Sequence, residues 1–170
     1  LDPAAPDVVV SATLSKAFGG AGGFVCGARE VVDWLVTRSR AFIYTTAVPA
    51  AAAAGAIAAL EVMASDPWRR QDVRAHARRL RQLLATRCPE RSAAWSPESW
   101  DVPIVPVLAG DARRAVEAAD RLSARGFFAP AIRPPTVPEG TSRLRLSLSA
   151  EHLEKDIEAL AEAVGDALET

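Results

Sequence analysis

Two apolar patterns of different period stand side by side near the end of this 170-residue chain. Leu144, Leu146 and Leu148 alternate with polar residues, which indicates a strand with one buried face. Ser149 then precedes a segment with apolar residues at every third or fourth position, which predicts a helix capped by that serine. The apolar stripe of this helix consists of Leu153, Ile157, Leu160, Val164 and Leu168. A one-faced strand and a one-faced helix must bury those faces together, so we expect an α/β fold.

Further strands and helices are expected upstream. Apolar and β-branched runs predict a buried strand at 8–12, other strands at 24–27, 104–108 and 127–132, and a short extended segment at 42–44. Helical periods and caps predict helices at 29–38, from Pro49 to the break at 66–67, from there to about 87, and from Asp111 to Gly126. Prolines and serines predict a connecting loop at 88–103 and an ordered turn at 133–140.

Composition excludes several classes of function. Hydrophobic residues make up 49% and charged residues 24%, a globular balance, and the net charge of −1 does not favour nucleic-acid binding. The longest apolar stretch, 47–60, is too short to span a bilayer. Cys26 and Cys88 form no CxxC pair and the histidines lack zinc-ligand spacing, so we expect reduced thiols, no metal and a cytoplasmic protein.

Lys16 lies between a predicted strand and a run of glycines. A phosphate-binding P-loop has its glycines before the lysine, and a dinucleotide-binding fingerprint opens a helix, whereas a strand follows here. A Ser-x-x-Lys hydrolase motif fails because Thr13 occupies its first position. What remains is a Schiff-base lysine, which must be partly desolvated to act as a nucleophile. An ordinary solvated loop lysine explains the pattern equally simply.

A second group of polar residues surrounds the alternating strand. Arg143 and Arg145 share the face opposite the leucines, and Arg133 lies upstream in the proline-rich turn. Guanidinium groups fixed on one face form a fork that suits a carboxylate. A solvated sheet face explains the same spacing.

Arginines are also concentrated in the helix predicted to end near residue 87. Nucleic-acid binding by stacking would need aromatic side chains between them, and the chain as a whole is not basic. We therefore expect a solvated helix face that carries Arg69, Arg70, Arg74, Arg78, Arg79, Arg81 and Arg87.

Three blocks of the sequence together resemble the α-oxoamine synthase family. They are SATLSKAFGG at 11–20, RAFIYTTAVP at 40–49, and 131–148, which contains IRPPTVP and RLRL. The resemblance runs along the whole chain in matching order and implies a fold-type-I transferase that depends on pyridoxal 5′-phosphate. Residues 1–62 would be the C-terminal part of its large cofactor-binding domain with a linking helix. Residues 63–170 would be its small C-terminal α/β domain.

The resemblance also implies a cofactor site. Lys16 would be the catalytic residue and would hold the cofactor covalently. Thr13 would bind the cofactor phosphate, and Thr45 and Thr46 would reach the phosphate across the interface of a homodimer. The family's upstream phosphate segment, ring-stacking histidine and acidic partner of the pyridine nitrogen have no counterpart in this chain, so we expect the fragment alone to be inactive.

The third block is most similar to the branch of the family that condenses L-alanine with a pimeloyl thioester in the biotin pathway. In that reaction Arg145 would hold the alanine carboxylate, and Arg133 and Thr136 would line the side of the site that takes the acyl group. The acyl carrier, coenzyme A or a carrier protein, stays open. So do two alternatives: a relative that uses glycine or another acyl thioester, and a non-catalytic C-terminal module.

Overall fold

The computed structural model describes residues 5–92 and 102–169, and the chain divides into two compact units, Leu1–Pro67 (unit 1) and Trp68–Thr170 (unit 2). The division follows Pro67, at the predicted helix break, whereas the sequence placed the domain boundary at residue 62. Each unit has its own sheet. Among the described residues, no helix is long and apolar enough to cross a membrane.

Unit 1 consists of a hairpin followed by helices. Strands β1 (Val10–Thr13) and β2 (Gly23–Cys26) pair antiparallel. The helices are α1 (Arg29–Arg38), α2 (Arg40–Ile43) and α3 (Ala50–Ser65). Helix α3 begins directly after Pro49 and ends before the predicted break, which confirms both of its boundaries.

The elements of unit 1 are largely exposed. Strand β1 confirms most of the predicted strand at 8–12, but the prediction that it is buried is wrong, since Val9 is 52% exposed. Among the described residues of unit 1, Ala56 is the only buried hydrophobic residue. A run of β-branched residues identifies an apolar segment, but it does not reveal what covers that segment.

The predicted extended segment at 42–44 is also wrong. Helix α2 occupies this region, and the amides of Ile43 and Tyr44 donate to the carbonyl oxygens of Ser39 and Arg40 at 2.9 and 3.1 Å. A run of three apolar residues is too short for its period to distinguish a strand from a helical turn.

Unit 2 is a three-stranded sheet with helices. Its strands are β3 (Ile104–Gly110), β4 (Ala131–Ile132) and β5 (Ser142–Ser147). Its helices are α4 (Trp68–Arg87), α5 (Pro89–Ser92), α6 (Ala112–Ala124) and α7 (Glu154–Leu168). Strand β5 lies between β3 and β4 and is antiparallel to both, so β3 and β4 are parallel to each other and α6 connects them. This arrangement is a split βαβ unit.

The core of unit 2 lies between the sheet and its helices. Leu144 and Leu146 of β5 are buried, and their partners on β3 are Val107 and Val105. Helix α6 contacts all three strands, and α7 packs against α4 and α6. The buried helical residues of this core include Leu80, Leu84, Leu122, Ile157, Val164 and Leu168. The predicted alternation of β5 and most of the predicted stripe of α7 are therefore confirmed.

The ends of α6 agree with the sequence prediction. The Asp111 carboxylate accepts a hydrogen bond from the Arg114 amide at 2.8 Å. At the other end Gly126 has φ +86°, and the amides of Gly126 and Phe127 donate to the carbonyl oxygens of Ser123 and Leu122. These two bonds form a Schellman motif, which needs a residue in the left-handed region.

Other boundaries in unit 2 differ from the predictions. Ser149 does not cap α7, whose N-cap is Leu153; the Ser149 hydroxyl instead accepts from the Glu151 amide at 3.2 Å, within a turn. The strand predicted at 127–132 is confined to β4, because the Schellman motif redirects the chain at Phe127. Part of the loop predicted at 88–103 is helix α5, and its residues 93–101 lie outside the described residues.

The prediction of a solvated arginine face on α4 is wrong in part. Arg81 is 3% exposed, and its Nη2 donates to the carbonyl oxygens of Val102 and Ile104 at 3.3 and 3.0 Å. Arg69 pairs with Glu151 at 2.8 Å, and Arg79 pairs with Glu158 of α7 at 2.6 Å. Helix α4 thus uses some of its arginines to hold the strand edge and α7.

Candidate active site

The loop that carries Lys16 is an ordered hairpin connection. It runs from the end of β1 to the start of β2 and is closed by the Leu14 amide, which donates to the Gly22 carbonyl oxygen at 2.9 Å. The Gly19 amide donates to the Lys16 carbonyl oxygen at 2.9 Å, so Lys16 begins a turn. Its side chain is exposed and has no hydrogen bond or ion pair with the described residues. The amine is therefore accessible to a cofactor, but the described residues do not supply the partial desolvation that the interpretation as a Schiff-base lysine expects.

Glycines give this loop its shape. Gly19 and Gly22 have φ values of +61° and +98°, which residues with a side chain rarely adopt. A Cβ atom on Gly23 would lie 2.8 Å from the Ala12 carbonyl oxygen, closer than two such atoms can approach. Gly19, Gly22 and Gly23 are thus required by the hairpin itself.

The Thr13 hydroxyl is engaged within the loop. Its Oγ1 lies 3.3 Å from the Gly22 carbonyl oxygen, to which it donates, and it accepts from the Ser15 amide at 3.1 Å. The Ser15 hydroxyl lies 2.7 Å from the same oxygen. A hydroxyl has one hydrogen to donate, so binding a phosphate oxygen would require Thr13 to give up its long bond to Gly22.

Thr45 and Thr46 lie in the connection between α2 and α3, where both are exposed. This connection adjoins the lysine loop, because a Cβ atom on Gly22 would lie only 3.2 Å from a methyl group of Val48. The structure thus brings the segment with both threonines beside the loop with Lys16, within unit 1.

In unit 2, Arg143 and Arg145 lie on the sheet face opposite the buried leucines. Their partners on β3 are Leu108 and Pro106, and the partner of Arg143 on β4 is Ile132. A sheet face that meets water normally carries polar residues. Arg145 is exposed and Arg143 is half-buried, so a solvated face still accounts for their positions, although their strand partners are apolar.

The sheet arginines also lack acidic partners. Arg133, Arg143 and Arg145 form no ion pair with a described residue, although the Nε of Arg143 donates to the Thr141 carbonyl oxygen at 2.9 Å. The arginines of the helices differ, since Arg79 and Arg125 hold carboxylates at 2.6 Å. Uncompensated guanidinium groups near apolar residues favour an anion-binding face.

Arg133 and Thr136 begin the proline-rich turn after β4, and both are exposed. The Thr136 amide donates to the Arg133 carbonyl oxygen at 3.1 Å, and the Pro134–Pro135 peptide bond is cis. The hydrogen bond from the Thr136 amide orders the start of the turn, as predicted. The turn also continues the strand that lies next to β5.

Sequence reasoning missed a cavity of about 640 Å³ in unit 2. Its walls include Arg145, the exposed Phe128, His152 before the N-cap of α7, and Asp156 in the first turn of α7. The His152 Nδ1 accepts from the Ser149 amide at 3.2 Å, which orders the chain between β5 and α7. Neither His152 nor Asp156 belongs to a sequence motif. The sequence analysis predicted a strand at 127–132, so it did not predict that Phe128 would line a cavity.

The chain belongs to the class I and II aminotransferase family, whose sequence model matches residues 2–164. It is 46% identical over 154 residues to the 8-amino-7-oxononanoate synthase of Methylobacterium nodulans, covering 91% of this chain and 38% of that protein. It is 42% identical over all 170 residues to a putative 8-amino-7-oxononanoate synthase of Caulobacter vibrioides, of which it covers 41%. The chain thus spans about two fifths of the length of these relatives.

Solved structures show the same fold. A serine palmitoyltransferase variant from S. paucimobilis, solved with a bound complex of pyridoxal phosphate and myriocin, superimposes with a TM-score of 0.81 at 25% identity. The match covers 94% of this chain and 39% of that one. An 8-amino-7-oxononanoate synthase from Francisella tularensis gives 0.73 at 23% identity, covering 95% and 46%. The predicted α/β fold of a pyridoxal-phosphate-dependent transferase, matched over part of its length, is confirmed, and so is pyridoxal 5′-phosphate as the cofactor of the family.

Proposed function

We propose that this chain is the C-terminal part of an 8-amino-7-oxononanoate synthase. The complete enzyme would join L-alanine to a pimeloyl thioester and release carbon dioxide and the thiol carrier. One observation carries the proposal: the ordered glycine hairpin presents Lys16 with no competing ion pair among the described residues. The identity of 42% to 47% to relatives with this name supports the choice of reaction.

Pyridoxal phosphate fits the polar groups of unit 1. The Lys16 amine is exposed for covalent attachment, and the Thr13 hydroxyl lies in the same hairpin. When bound, the cofactor supplies the electron sink for the reaction. Lys16 would hold it and then, once displaced by the amino acid, take the α-proton of alanine on its Nζ. Thr45 and Thr46 would act across the interface of a homodimer.

The sheet face of unit 2 supplies cations for the substrates. Arg145 would pair with the alanine carboxylate through a charge-assisted hydrogen bond. Arg133 and Thr136 would lie on the side of the acyl group. We place the enzyme in the cytoplasm, with either coenzyme A or a carrier protein as the acyl carrier.

Lysine labelling tests the assignment directly, because the chain contains two lysines, Lys16 and Lys155. Borohydride reduction of the full-length enzyme followed by peptide mapping should place the pyridoxyl group on Lys16. Lys16→Ala should abolish turnover, whereas Lys155→Ala, an exposed position on α7, should keep it. Label on Lys155, or on any other lysine of the full-length enzyme, would refute the assignment.

Alanine binding tests Arg145. Arg145→Leu should weaken alanine binding by about ten- to a hundredfold, the range expected for loss of a charge-assisted hydrogen bond. Arg143→Leu should be tolerated better, since Arg143 already bonds the Thr141 carbonyl oxygen. Unchanged alanine affinity in both variants would contradict the role of Arg145.

A second candidate is another α-oxoamine synthase. Serine palmitoyltransferase structures superimpose with TM-scores of 0.80 to 0.83, so the fold of this chain is compatible with this candidate. Product analysis with alanine, glycine and serine in competition separates the candidates. Preference for glycine or serine would replace the first proposal.

A further inference from the structure

We propose that His152 fixes the connection between β5 and α7 only while its imidazole is neutral, so that this connection responds to pH. The connection consists of residues 148–153, between the last residue of β5 and the first residue of α7. The inference goes beyond the proposed function and does not depend on it. The arrangement that carries it is Ser149 held between His152 and His76, the two histidines of this chain.

Ser149 uses each of its polar groups within this part of the structure. Its amide donates to the His152 Nδ1 at 3.2 Å. Its carbonyl oxygen accepts from the His152 amide at 3.4 Å and lies 3.1 Å from the His76 Nδ1. Its hydroxyl oxygen accepts from the Glu151 amide at 3.2 Å. Ser149 therefore joins α4, which carries His76, to the residues that precede α7.

The two histidine rings must carry their protons differently. An amide can only donate, so the Nδ1 of His152 must hold a lone pair, which leaves the ring proton on Nε2. A carbonyl oxygen can only accept, so the Nδ1 of His76 must carry a hydrogen. The partner of each Nδ1 atom thus decides which nitrogen of that ring is protonated.

Protonation therefore affects the two contacts in opposite ways. Both ring nitrogens of an imidazolium are donors. His76 can gain a proton on its Nε2 and keep its bond to the Ser149 carbonyl oxygen. His152 can gain a proton only on its Nδ1, where that proton would face the hydrogen of the Ser149 amide. Acid should thus remove the contact with His152 and preserve the contact with His76.

The surroundings of His152 allow this change. The residue is exposed, so a proton reaches its ring without opening of the fold. Arg145 of β5 and Asp156 of α7 line the same cavity, and on α4 Arg69 holds the Glu151 carboxylate at 2.8 Å. Among the described residues the Asp156 carboxylate pairs with no cation. It therefore offers the protonated ring of His152 an acceptor within the cavity.

The charges around His76 do not decide the outcome. Asp72 and Arg79 lie about one turn to either side of it on α4. Arg79 in turn holds Glu158 of α7 at 2.6 Å and lies 3.9 Å from the Glu154 carboxylate. These charges bear on when His76 gains its second proton, but its Nδ1 donates in both forms. The response to pH should therefore come from His152.

Hydrogen exchange measures the contact at the amide that makes it. In the full-length enzyme, residue-resolved exchange of the Ser149 amide is compared at about pH 7.5 and about pH 5.5, after correction for the intrinsic effect of pH on exchange. The protection factor should fall about three- to tenfold at the lower pH, the range expected for loss of one hydrogen bond. The Arg145 amide, which donates to the Pro130 carbonyl oxygen, is the internal reference and should not change.

Three variants separate the roles of the two histidines. His152→Asn keeps an acceptor oxygen near the position of Nδ1 but does not titrate, so the Ser149 amide should stay protected at both pH values. His152→Leu has no acceptor, so protection should be low at both. His76→Asn keeps a donor for the Ser149 carbonyl oxygen, so it should show the same response to pH as the wild type.

Several results would overturn the role of His152. They are an unchanged protection factor in the wild type, a fall at acid pH that persists in His152→Asn, and high protection in His152→Leu. Loss of the response in His76→Asn would also overturn it, since the origin would then lie on α4. Exchange is measured without substrates, so failure of the proposed reaction would leave each of these outcomes interpretable.

Discussion

The two units of the chain bury their apolar residues to very different extents. Unit 2 places Leu144 and Leu146 of its sheet in a core with residues of α4, α6 and α7, and α6 packs directly on β5. Unit 1 has comparably apolar segments, yet Ala56 is its only buried hydrophobic residue among the described ones, and Leu60 of α3 is 50% exposed. Unit 2 therefore derives its stability from internal contacts, whereas the lysine hairpin of unit 1 derives little from its own packing.

The cysteines provide the strongest contrast between the units. Cys26 of β2 is exposed and Cys88, after α4, is buried. Burial raises the pKa of the Cys88 thiol above its ordinary value of 9.0, and the nearby Glu90 carboxylate adds to the shift. At pH 8 we expect Cys26 to react with iodoacetamide at the rate of a free thiol and Cys88 to react orders of magnitude more slowly, only after unit 2 opens.

The same shift has a consequence for stability. A thiol whose pKa is raised in the folded state stabilises that state fully below the unfolded value and loses the contribution as the pH rises through the folded value. Unit 2 should therefore become less stable above about pH 9, and the labelling of Cys88 should accelerate beyond the increase in its thiolate fraction. Mass spectrometry of peptides labelled at several pH values measures both effects. Equal labelling rates at Cys26 and Cys88 would contradict the difference between the units.

Matched leucine truncations measure the same difference as free energy. Leu144→Ala removes a fully buried side chain between β3 and α6 and should lower the free energy of unfolding by about 2–5 kcal/mol. Leu60→Ala removes a half-exposed side chain from α3 and should change it by at most about 0.5 kcal/mol. Urea denaturation of the 170-residue chain, followed by circular dichroism, gives both values. Similar losses in the two variants would show that α3 is packed as tightly as β5.

Sequence patterns predicted the elements better than their surroundings, for a physical reason. The alternation at Leu144 and Leu146 and the caps of α6 depend on neighbouring residues, so a local pattern is sufficient to predict them. The burial of β1 depends on what covers its faces, and a run of valines does not encode that. The prediction of a solvated arginine face on α4 was wrong in part because the carboxylate and carbonyl partners of these arginines lie on elements distant in sequence.

The candidate site also combines a feature that local sequence predicts with a contact that it does not predict. The position of Lys16 in a glycine loop between two strands followed from local pattern, and the structure confirms that placement. The adjacency of the threonine segment to this loop, through Val48 and Gly22, is a tertiary contact that spacing does not contain.

Two arginines with different surroundings sharpen the comparison further. Arg81 is buried in unit 2 and donates to the Val102 and Ile104 carbonyl oxygens, so Arg81→Ala should lower the free energy of unfolding by about 1.5–3 kcal/mol. Arg29 of α1 holds Asp33 at 3.0 Å in an exposed pair, and Arg29→Ala should have an effect close to zero. Thermal and urea unfolding of both variants measures the loss in the free energy of unfolding for each. A loss for Arg29→Ala as large as that for Arg81→Ala would mean that α1 is stabilised mainly by this surface pair.

The smallest expected effect distinguishes a true helix cap from a residue that only resembles one. Asp111 and Ser149 both precede helices and both have capping side chains, but only Asp111 bonds an amide of its helix, that of Arg114 at 2.8 Å. Asp111→Ala should therefore lower the free energy of unfolding by about 1 kcal/mol, because an amide in the first turn of α6 loses its acceptor. Ser149→Ala breaks only the bond to the Glu151 amide, in a turn where that amide can reach water, and should have a smaller effect. Denaturation curves of the two variants under identical conditions show which substitution lowers the free energy of unfolding more. A larger loss for Ser149→Ala would mean that the turn before α7 contributes more to unit 2 than the cap of α6, against the geometry of both segments.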